Sequence, residues 1–151
     1  MMQEPVLYLV VPCYNEQDVL YDTAEQLLQK MTRLIEDRHI SARSRIAFVN
    51  DGSRDRTWEL IIDCTTRSPL FSGINLAHNE GHQHALLAGL MTVRAYADVT
   101  ISLDADLQDD IDAIDAMLKK YAAGANIVYG VRENRETDAF LKRFTAETFY
   151  R

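Results

Sequence analysis

Short apolar runs alternate with longer segments of helical period along almost the whole chain. The runs predict five strands, at residues 6–11, 46–49, 73–76, 99–103 and 126–129. The other segments place apolar residues three and four positions apart, which predicts amphipathic helices beginning near residues 20, 57, 82, 111 and 138. Strands that alternate with helices are joined by right-handed crossovers. The sequence therefore predicts an α/β fold, with one mostly parallel sheet and helices on both faces.

Finer details of these elements also follow from the pattern. Pro12 is expected to end the first strand, and Gly124 to end the fourth helix as a C-cap. On the second helix, we expect Trp58, Ile61 and Ile62 on the inner face, and on the third helix Leu86, Leu90 and Val93.

Length and charge limit the class of protein. The 151 residues fit one domain, residues 1–151, and the net charge of −7 without a basic stripe argues against a nucleic-acid partner. Cys13 and Cys64 lack metal-type spacing and are expected to be reduced, buried thiols. Because we identify no signal peptide and no run of about 20 apolar residues, we expect a soluble, cytoplasmic chain.

Polar side chains gather where the predicted strands end. In parallel sheets, ligands bind beyond the carboxyl ends of the strands. The residues expected there follow the first, second, fourth and fifth strands: Tyr14, Asn15, Glu16, Asp51, Ser53, Asp104, Asp106 and Arg132. This pattern predicts a ligand site at that edge of the sheet.

Asp104 and Asp106 flank Ala105 directly after the fourth strand. Two carboxylates at this spacing can reach one hard cation, and oxygen ligands suit magnesium or manganese bridging to phosphates. The alternative is a helix N-cap, since acids are favoured before a helix begins. Asp109 and Asp110 can fill that role without the strand-end pair, which favours the metal interpretation.

The turn after the second strand allows two interpretations. Gly52 permits a tight turn, and Ser53 or Asp55 can cap the helix that follows. Asp51 is not needed for either role, and its carboxylate can accept a hydrogen bond from a nucleobase imino group.

Basic residues follow the fifth predicted strand. Arg132 and Arg143 suit a diphosphate, because arginine forks bind phosphate. The histidines at positions 78, 82 and 84 lack the spacing of a zinc site, and a glycine-turn helix entrance lining the cleft is favoured. We identify no P-loop, dinucleotide fingerprint or nucleophile elbow.

Taken together, these motifs resemble family-two glycosyltransferases of the GT-A fold. The matching segments occur in order at residues 10–16, 50–57, 79–85, 103–109, 129–132, 142–143 and 149–151. The fourth and later segments are similar to the polyprenyl-phosphate branch, which contains dolichol-phosphate mannose synthases and bacterial undecaprenyl-phosphate glycosyltransferases.

The resemblance implies roles for individual residues. Those expected to bind the donor are Pro12, Tyr14, Glu16, Asp51, Ser53, Asn79, Gly81, Asp104, Arg132 and Arg143, with Asp51 reading the base. Asp106, Gln108 and Asp104 would hold Mg²⁺ or Mn²⁺, and Asp104 and Asp106 would be the catalytic pair. The implied reaction moves a sugar with inversion from a nucleoside diphosphate sugar, UDP favoured and GDP-mannose the alternative, to a polyprenyl-phosphate lipid.

Two departures from the family pattern accompany the resemblance. Asn50 stands where the family commonly has Asp, and residues 110–112 replace a frequent Pro-Pro-Glu. Because relatives continue further, we expect a fragment whose C-terminal acceptor part is missing, from a protein at the cytoplasmic face of the membrane. Exposed apolar residues near Phe144 and Phe149 would then promote homo-oligomers. The alternatives are a family-two transferase with a polysaccharide or other acceptor, and a non-catalytic nucleotide-sugar-binding module.

Overall fold

The structure is a computed structural model that describes residues 4–108 and 110–131. Its elements, in chain order, are β1 (Leu7–Cys13), α1 (Leu20–Glu36), β2 (Arg45–Asn50), α2 (Thr57–Arg67), β3 (Phe71–Asn75), α3 (His82–Val93), β4 (Val99–Ser102) and α4 (Ala113–Ala122). A first compact unit reaches to Ile114, and a second begins at Asp115. The sheet lies entirely in the first unit.

The four strands form one sheet in the order β3-β2-β1-β4, and every pair is parallel. Val10 marks the register, since it lies opposite Ala47 of β2 on one side and Ser102 of β4 on the other. The chain runs outward from β1 through β2 to β3, then returns to the far side of β1 as β4. In a doubly wound sheet this reversal opens a crevice at the carboxyl ends of the strands, here those of β1 and β4.

β1 continues through Pro12, contrary to the prediction that this residue ends the strand. The reason lies in the direction of the missing N–H. Val10 accepts a hydrogen bond from the Leu103 N–H, so residues of even number in β1 point their backbone groups toward β4. Because β4 ends at Ser102, Pro12 lies beyond it and no hydrogen bond of the sheet is lost.

One face of the sheet is covered by α3. Val10, Ala47 and Val49 form a buried cluster there with Ala85 and Val93 of the helix. Leu86 and Leu90, predicted to point inward, are half-buried at the margin of this cluster. Small residues lie at its centre instead, because the helix approaches the sheet closely: a Cβ on Gly89 would lie 2.6 Å from Cγ1 of Val10.

The opposite face is covered by α1 and α2, which confirms the prediction of helices on both faces. Gly73 of β3 lies under Trp58 and Ile61 of α2, and the Phe48 and Phe71 rings stack at 5.9 Å between centroids. The prediction that Ile62 faces inward is wrong: it is 46% exposed, and Leu60 is buried in its place. The buried residues of α2 are Thr57, Leu60, Ile61 and Cys64, a stripe at three- and four-residue spacing. Ile62 lies about 100° beyond Ile61 on the side away from Leu60, so it falls outside this stripe.

The second unit contains most of α4. The C-cap role predicted for Gly124 is confirmed, since this residue has a φ of 97° and its N–H bonds to the Tyr121 carbonyl at 2.8 Å. The fifth strand predicted at 126–129 does not form. Within the described residues, no strand pairs with this segment, and Ile127 and Tyr129 are exposed. The predicted helix at 138–151 lies outside the described residues. Both cysteines are free and buried, as predicted.

Candidate functional site

The loops after β1 and β2 are held together by side chains that bind backbone N–H groups. Ser53 Oγ accepts from the Asn15 N–H at 3.0 Å, and Asn15 Oδ1 accepts from the Arg54 N–H at 2.8 Å. Thr57 Oγ1 accepts from the Glu16 N–H at 2.8 Å. Through its contact with Asn15, the Ser53 hydroxyl, predicted to bind the donor, also holds the loop. These hydrogen bonds place Tyr14 and Glu16 at the mouth of the crevice.

Asp55, one of the two residues predicted to cap α2, accepts a hydrogen bond from the first N–H of that helix. Its Oδ1 accepts from the Thr57 N–H at 3.0 Å at the beginning of α2, and its Oδ2 accepts from the Gln17 N–H at 3.2 Å. Partial burial acts to raise the pKa of Asp55, but the hydrogen bonds from Thr57 and Gln17 outweigh it and hold the pKa below its ordinary value. The carboxylate is therefore ionised and structural.

Asp51 is buried and binds the loop between β3 and α3. Its Oδ1 accepts from the Glu80 N–H at 2.7 Å, and its Oδ2 accepts from the Gly81 N–H at 3.0 Å and from Asn79 Nδ2 at 3.2 Å. Gly52 packs so closely on this loop that a Cβ would lie 2.4 Å from the Asn79 nitrogen. Asp51, Asn79 and Gly81 were each predicted as donor-binding residues, and the structure brings all three together.

The segment after β4 turns sharply and presents its carboxylates to solvent. The Leu107 N–H bonds to the Asp104 carbonyl at 3.2 Å, and Leu107 itself has a φ of 46°. Ala105 is buried between Asp104 and Asp106, which are both exposed, and its carbonyl accepts a hydrogen bond from Thr23 of α1. Asp106 Oδ1 accepts from the Gln108 N–H at 3.3 Å. The turn therefore displays two carboxylates on an anchored backbone.

The acids at the ends of β1 and β4 lie close enough to act on one another. Burial raises the pKa of Glu16, and the nearby carboxylates of Asp106, Asp55 and Asp104 raise it further. β1 and β4 are neighbouring parallel strands, so the segments that follow them begin at the same edge of the sheet. The carboxylates gathered at this edge favour a cation there.

The oxygen atoms of these side chains suit a hard divalent cation that a bound ligand also coordinates. In the described part of the chain, no three His, Cys, Asp or Glu side chains are placed to hold a metal by themselves. Mg²⁺ is commonly bound by only one or two carboxylates, with substrate phosphates completing its shell. Asp104, Asp106 and Gln108 offer such oxygens, so they fit an ion of this kind.

His82 is a residue of this site that was not predicted individually. It is the first residue of α3, and its Nε2 lies 3.7 Å from Oδ1 of Asp104. The signal available in the sequence was its place directly after Gly81, whose φ of 88° forms the turn into the helix. Sequence spacing alone does not show that this turn faces the end of β4.

The remaining predicted residues differ in what the structure shows. Pro12 is buried in β1, whereas Tyr14 is 41% exposed at the crevice. Gln108 is exposed after the turn. Arg132 and Arg143, predicted to bind the diphosphate, lie outside the described residues.

Comparison with known proteins identifies a family and several relatives. The family model described as glycosyl transferase family 2 matches residues 8–150. An uncharacterized glycosyltransferase, YkoT, of Bacillus subtilis is 51% identical over 98% of this chain and 44% of its own length. A prophage bactoprenol glucosyl transferase homolog of Escherichia coli is 38% identical over 95% of this chain and 44% of its own length. The chain thus spans less than half the length of these relatives.

Among solved structures, the chain is similar to the mannosyltransferase PcManGT from Pyrobaculum calidifontis, determined in complex with GDP-Man and Mn²⁺. The TM-score is 0.56 at 20% identity, covering 68% of this chain and 28% of that one. The sheet and its two helical layers have the GT-A fold, as predicted from the motifs.

Proposed function

This chain belongs to glycosyl transferase family 2, and we propose that it binds a nucleoside diphosphate sugar and transfers the sugar to a polyprenyl phosphate. The transfer inverts the anomeric carbon. UDP-sugar is the favoured donor and GDP-mannose the alternative. The protein that contains this chain acts at the cytoplasmic face of a membrane, where a lipid phosphate presents its head group.

The observation that carries this proposal is that acidic side chains follow both β1 and β4, the neighbouring strands at which the strand order reverses. Asp104 and Asp106 follow β4, Glu16 follows β1, and these two strands are parallel neighbours in the sheet. These carboxylates repel a diphosphate unless positive charge, from a cation or from basic side chains, offsets theirs. The site therefore favours a ligand that arrives with a divalent metal.

The names of similar proteins support the choice of substrates. A relative named for bactoprenol glucosyl transfer covers nearly the whole chain at 38% identity, which supports a polyprenyl acceptor and a sugar donor. The structural neighbour bound to GDP-Man and Mn²⁺ supports a nucleotide sugar and a divalent metal. No helix in the described part of the chain is long and apolar enough to cross a membrane.

We assign the donor-binding roles along the edge of the sheet. Pro12, Tyr14 and Glu16 line the nucleoside pocket, and Asp51 lies beside the base at the loop that it anchors. Arg132 and Arg143 are proposed to contact the diphosphate. The residues proposed to hold Mg²⁺ or Mn²⁺ are Asp104, Asp106 and Gln108, and the bound ion would stabilise the negative charge of the leaving diphosphate.

The proposed acceptor accounts for the absence of an assigned base. A phosphate monoester is already ionised near neutral pH, since its second pKa is about 6. The attacking oxygen therefore needs no proton removed, and the carboxylates of the crevice are left to bind the donor. Asp104 and Asp106 are then catalytic through their contact with the donor and its cation.

The test is calorimetric titration of the protein with UDP and with GDP, each with and without Mn²⁺. We expect one nucleotide to bind only with the metal, and Asp106→Ala to abolish this binding. Asp37→Ala is the matched control, because it removes an exposed carboxylate at the end of α1, away from the crevice.

Transfer is tested separately with the preferred nucleotide sugar and a polyprenyl phosphate. Binding of neither nucleotide by folded protein would overturn the donor site. Donor binding without transfer to the lipid, by a protein that transfers sugar to another acceptor, would overturn the proposed substrate.

A further inference from the structure

Across the crevice, the imidazole of His82 lies beside the carboxylate of Asp104. Nε2 of His82 is 3.7 Å from Oδ1 of Asp104, and the two side chains are 59% and 58% exposed. This places a nitrogen of α3 against the turn that follows β4. The contact joins the two segments that flank the proposed donor site.

The backbone at His82 is held by buried groups. The preceding N–H groups of Glu80 and Gly81 bind the Asp51 carboxylate, and the Ala85 N–H bonds to the Gly81 carbonyl at 3.0 Å to begin the helix. Ala85 itself is buried against the sheet. His82 therefore projects from a turn whose backbone is held by the Asp51 carboxylate.

The neighbouring histidine in the first turn of α3 has a different contact. The Nδ1 atom of His84 lies 2.8 Å from the Glu80 carbonyl, a bond local to the loop. Two exposed imidazoles thus stand on one helical turn, and among the residues that the structure describes only His82 is paired with an acid of the site. This difference makes His84 a natural control.

We propose that His82 is a positioning residue that orients the Asp104 carboxylate for the divalent cation of the donor site, an inference that rests on the proposed function. The ring donates from Nε2–H, which is present both in one neutral tautomer and in the protonated form. The separation of 3.7 Å exceeds a hydrogen bond, and we infer that it shortens when a ligand fills the site, as long contacts in empty active sites often do. One carboxylate oxygen is then held by the ring, and the other remains for the cation.

This arrangement has a measurable consequence for metal binding. Groups that hydrogen-bond a metal ligand fix its orientation, and their loss typically weakens metal affinity about 10- to 100-fold. We therefore expect His82→Leu to weaken Mn²⁺ binding in the presence of the preferred nucleotide about tenfold or more. His82→Gln keeps an N–H at a similar distance along the side chain and should retain most of the affinity.

The experiment is titration of Mn²⁺ into the protein with saturating UDP or GDP, on wild type, His82→Leu, His82→Gln and His84→Leu. Urea unfolding of each variant establishes that the fold is kept. We expect His84→Leu to bind Mn²⁺ like wild type. The same His82→Leu change in an Asp104→Asn background should cause little further loss, because the positioned carboxylate is already gone.

The outcomes separate this inference from the proposed function. If wild type binds Mn²⁺ with nucleotide and Asp106→Ala does not, but His82→Leu is unchanged, the positioning role is overturned and the donor site stands. An equal loss in both backgrounds also overturns it, since His82 would then act without Asp104. If wild type binds no metal with either nucleotide, the donor site and this inference both fail.

Discussion

Asp51 and Gly81 are joined across 30 positions of the chain by a hydrogen bond of 3.0 Å between the buried carboxylate and the backbone N–H. The Glu80 N–H binds the other carboxylate oxygen at 2.7 Å. These two bonds tie the end of β2 to the entrance of α3. The resemblance assigns Asp51 to the base of the donor, and the structure shows that the same side chain also shapes the loop beside it.

Replacing Asp51 should therefore destabilise the fold whether or not a donor is present. Asp51→Ala leaves the Glu80 and Gly81 N–H groups without their acceptor, and we expect a loss of about 2–4 kcal/mol in the free energy of unfolding. Urea unfolding without nucleotide measures this. Glu59→Ala, which breaks only an exposed pair with Arg56, should cost at most about 1 kcal/mol. Equal effects of the two changes would contradict the structural role of Asp51.

Gly52 should be intolerant of any side chain. It has a φ of 62°, and a Cβ there would lie 2.4 Å from the Asn79 nitrogen and 2.5 Å from the His78 carbonyl carbon. We expect Gly52→Ala to cost about 1–2 kcal/mol from the backbone conformation, with about 1–3 kcal/mol more from the clash. Gly124→Ala is the comparison without a clash, since φ is 97° there and nothing lies within 4 Å of the added carbon. Denaturant unfolding should rank Gly52→Ala clearly below Gly124→Ala in stability.

Glu16 should limit stability at neutral pH. Its pKa is raised by burial and by Asp106, Asp55 and Asp104, so folding favours the protonated form. A carboxyl with a raised pKa supports the folded state below its unfolded pKa, and this support is lost as the pH rises through the folded value. We expect Glu16→Gln to stabilise the protein at pH 7 but not near pH 3.

The measurement for Glu16 is the urea midpoint as a function of pH for wild type and variant. Glu36→Gln removes the same formal charge from an exposed position of α1 and serves as the control. Stabilisation by Glu36→Gln equal to that by Glu16→Gln would attribute the effect to net charge. The proposed function adds that Glu16→Gln should weaken nucleotide binding while it stabilises the fold.

Substitution of Gly89 should disturb the packing of α3 on the sheet and so change the free energy of unfolding. An added Cβ would lie 2.6 Å from Val10 Cγ1 and 2.7 Å from Val49 Cγ2. Alanine gains about 1 kcal/mol of helix propensity over glycine, but overpacking costs about 1–3 kcal/mol, so we expect Gly89→Ala to be neutral to destabilising. Combined with Val10→Ala, which removes one clashing methyl group, the loss should be smaller than the sum of the single changes by at least about 0.5 kcal/mol. Strict additivity would contradict the close approach.

The parts of the fold predicted from sequence are those determined by local periodicity. Four of the five predicted strands form, and the polar residues that follow β1, β2 and β4 do lie at the same edge of the sheet. The predictions that were wrong concern features that depend on tertiary packing. Ile62 and Leu60 differ by two helical positions, and only contact with the sheet decides which is buried. The segment 126–129 is apolar enough for a strand, but a strand also requires a neighbour that offers hydrogen bonds.

Sequence motifs identify individual residues of the candidate site, but they do not predict the contacts between those residues. Asp51, Asn79 and Gly81 were each singled out by motif, yet their mutual hydrogen bonds depend on how two loops pack. Ser53, Asn15 and Asp55 fit turn and cap patterns as well as ligand binding, and the structure shows them binding neighbouring N–H groups. His82 required a distance between residues far apart in the chain, and periodicity carries no such information.

Pro12 limits how far β1 and β4 can pair at the edge of the crevice. The last hydrogen bond of that strand pair runs from the Leu103 N–H to the Val10 carbonyl, and the next would need a proton on the nitrogen of residue 12. Proline has no proton on its backbone nitrogen, so the hydrogen-bonded pairing of β4 with β1 cannot continue past this point. Any other residue at position 12 would have a backbone N–H, and the pairing of β4 with β1 could then extend toward Asp104. The ring of Pro12 therefore keeps the pairing of β4 with β1 from extending to Asp104, which stays outside the sheet.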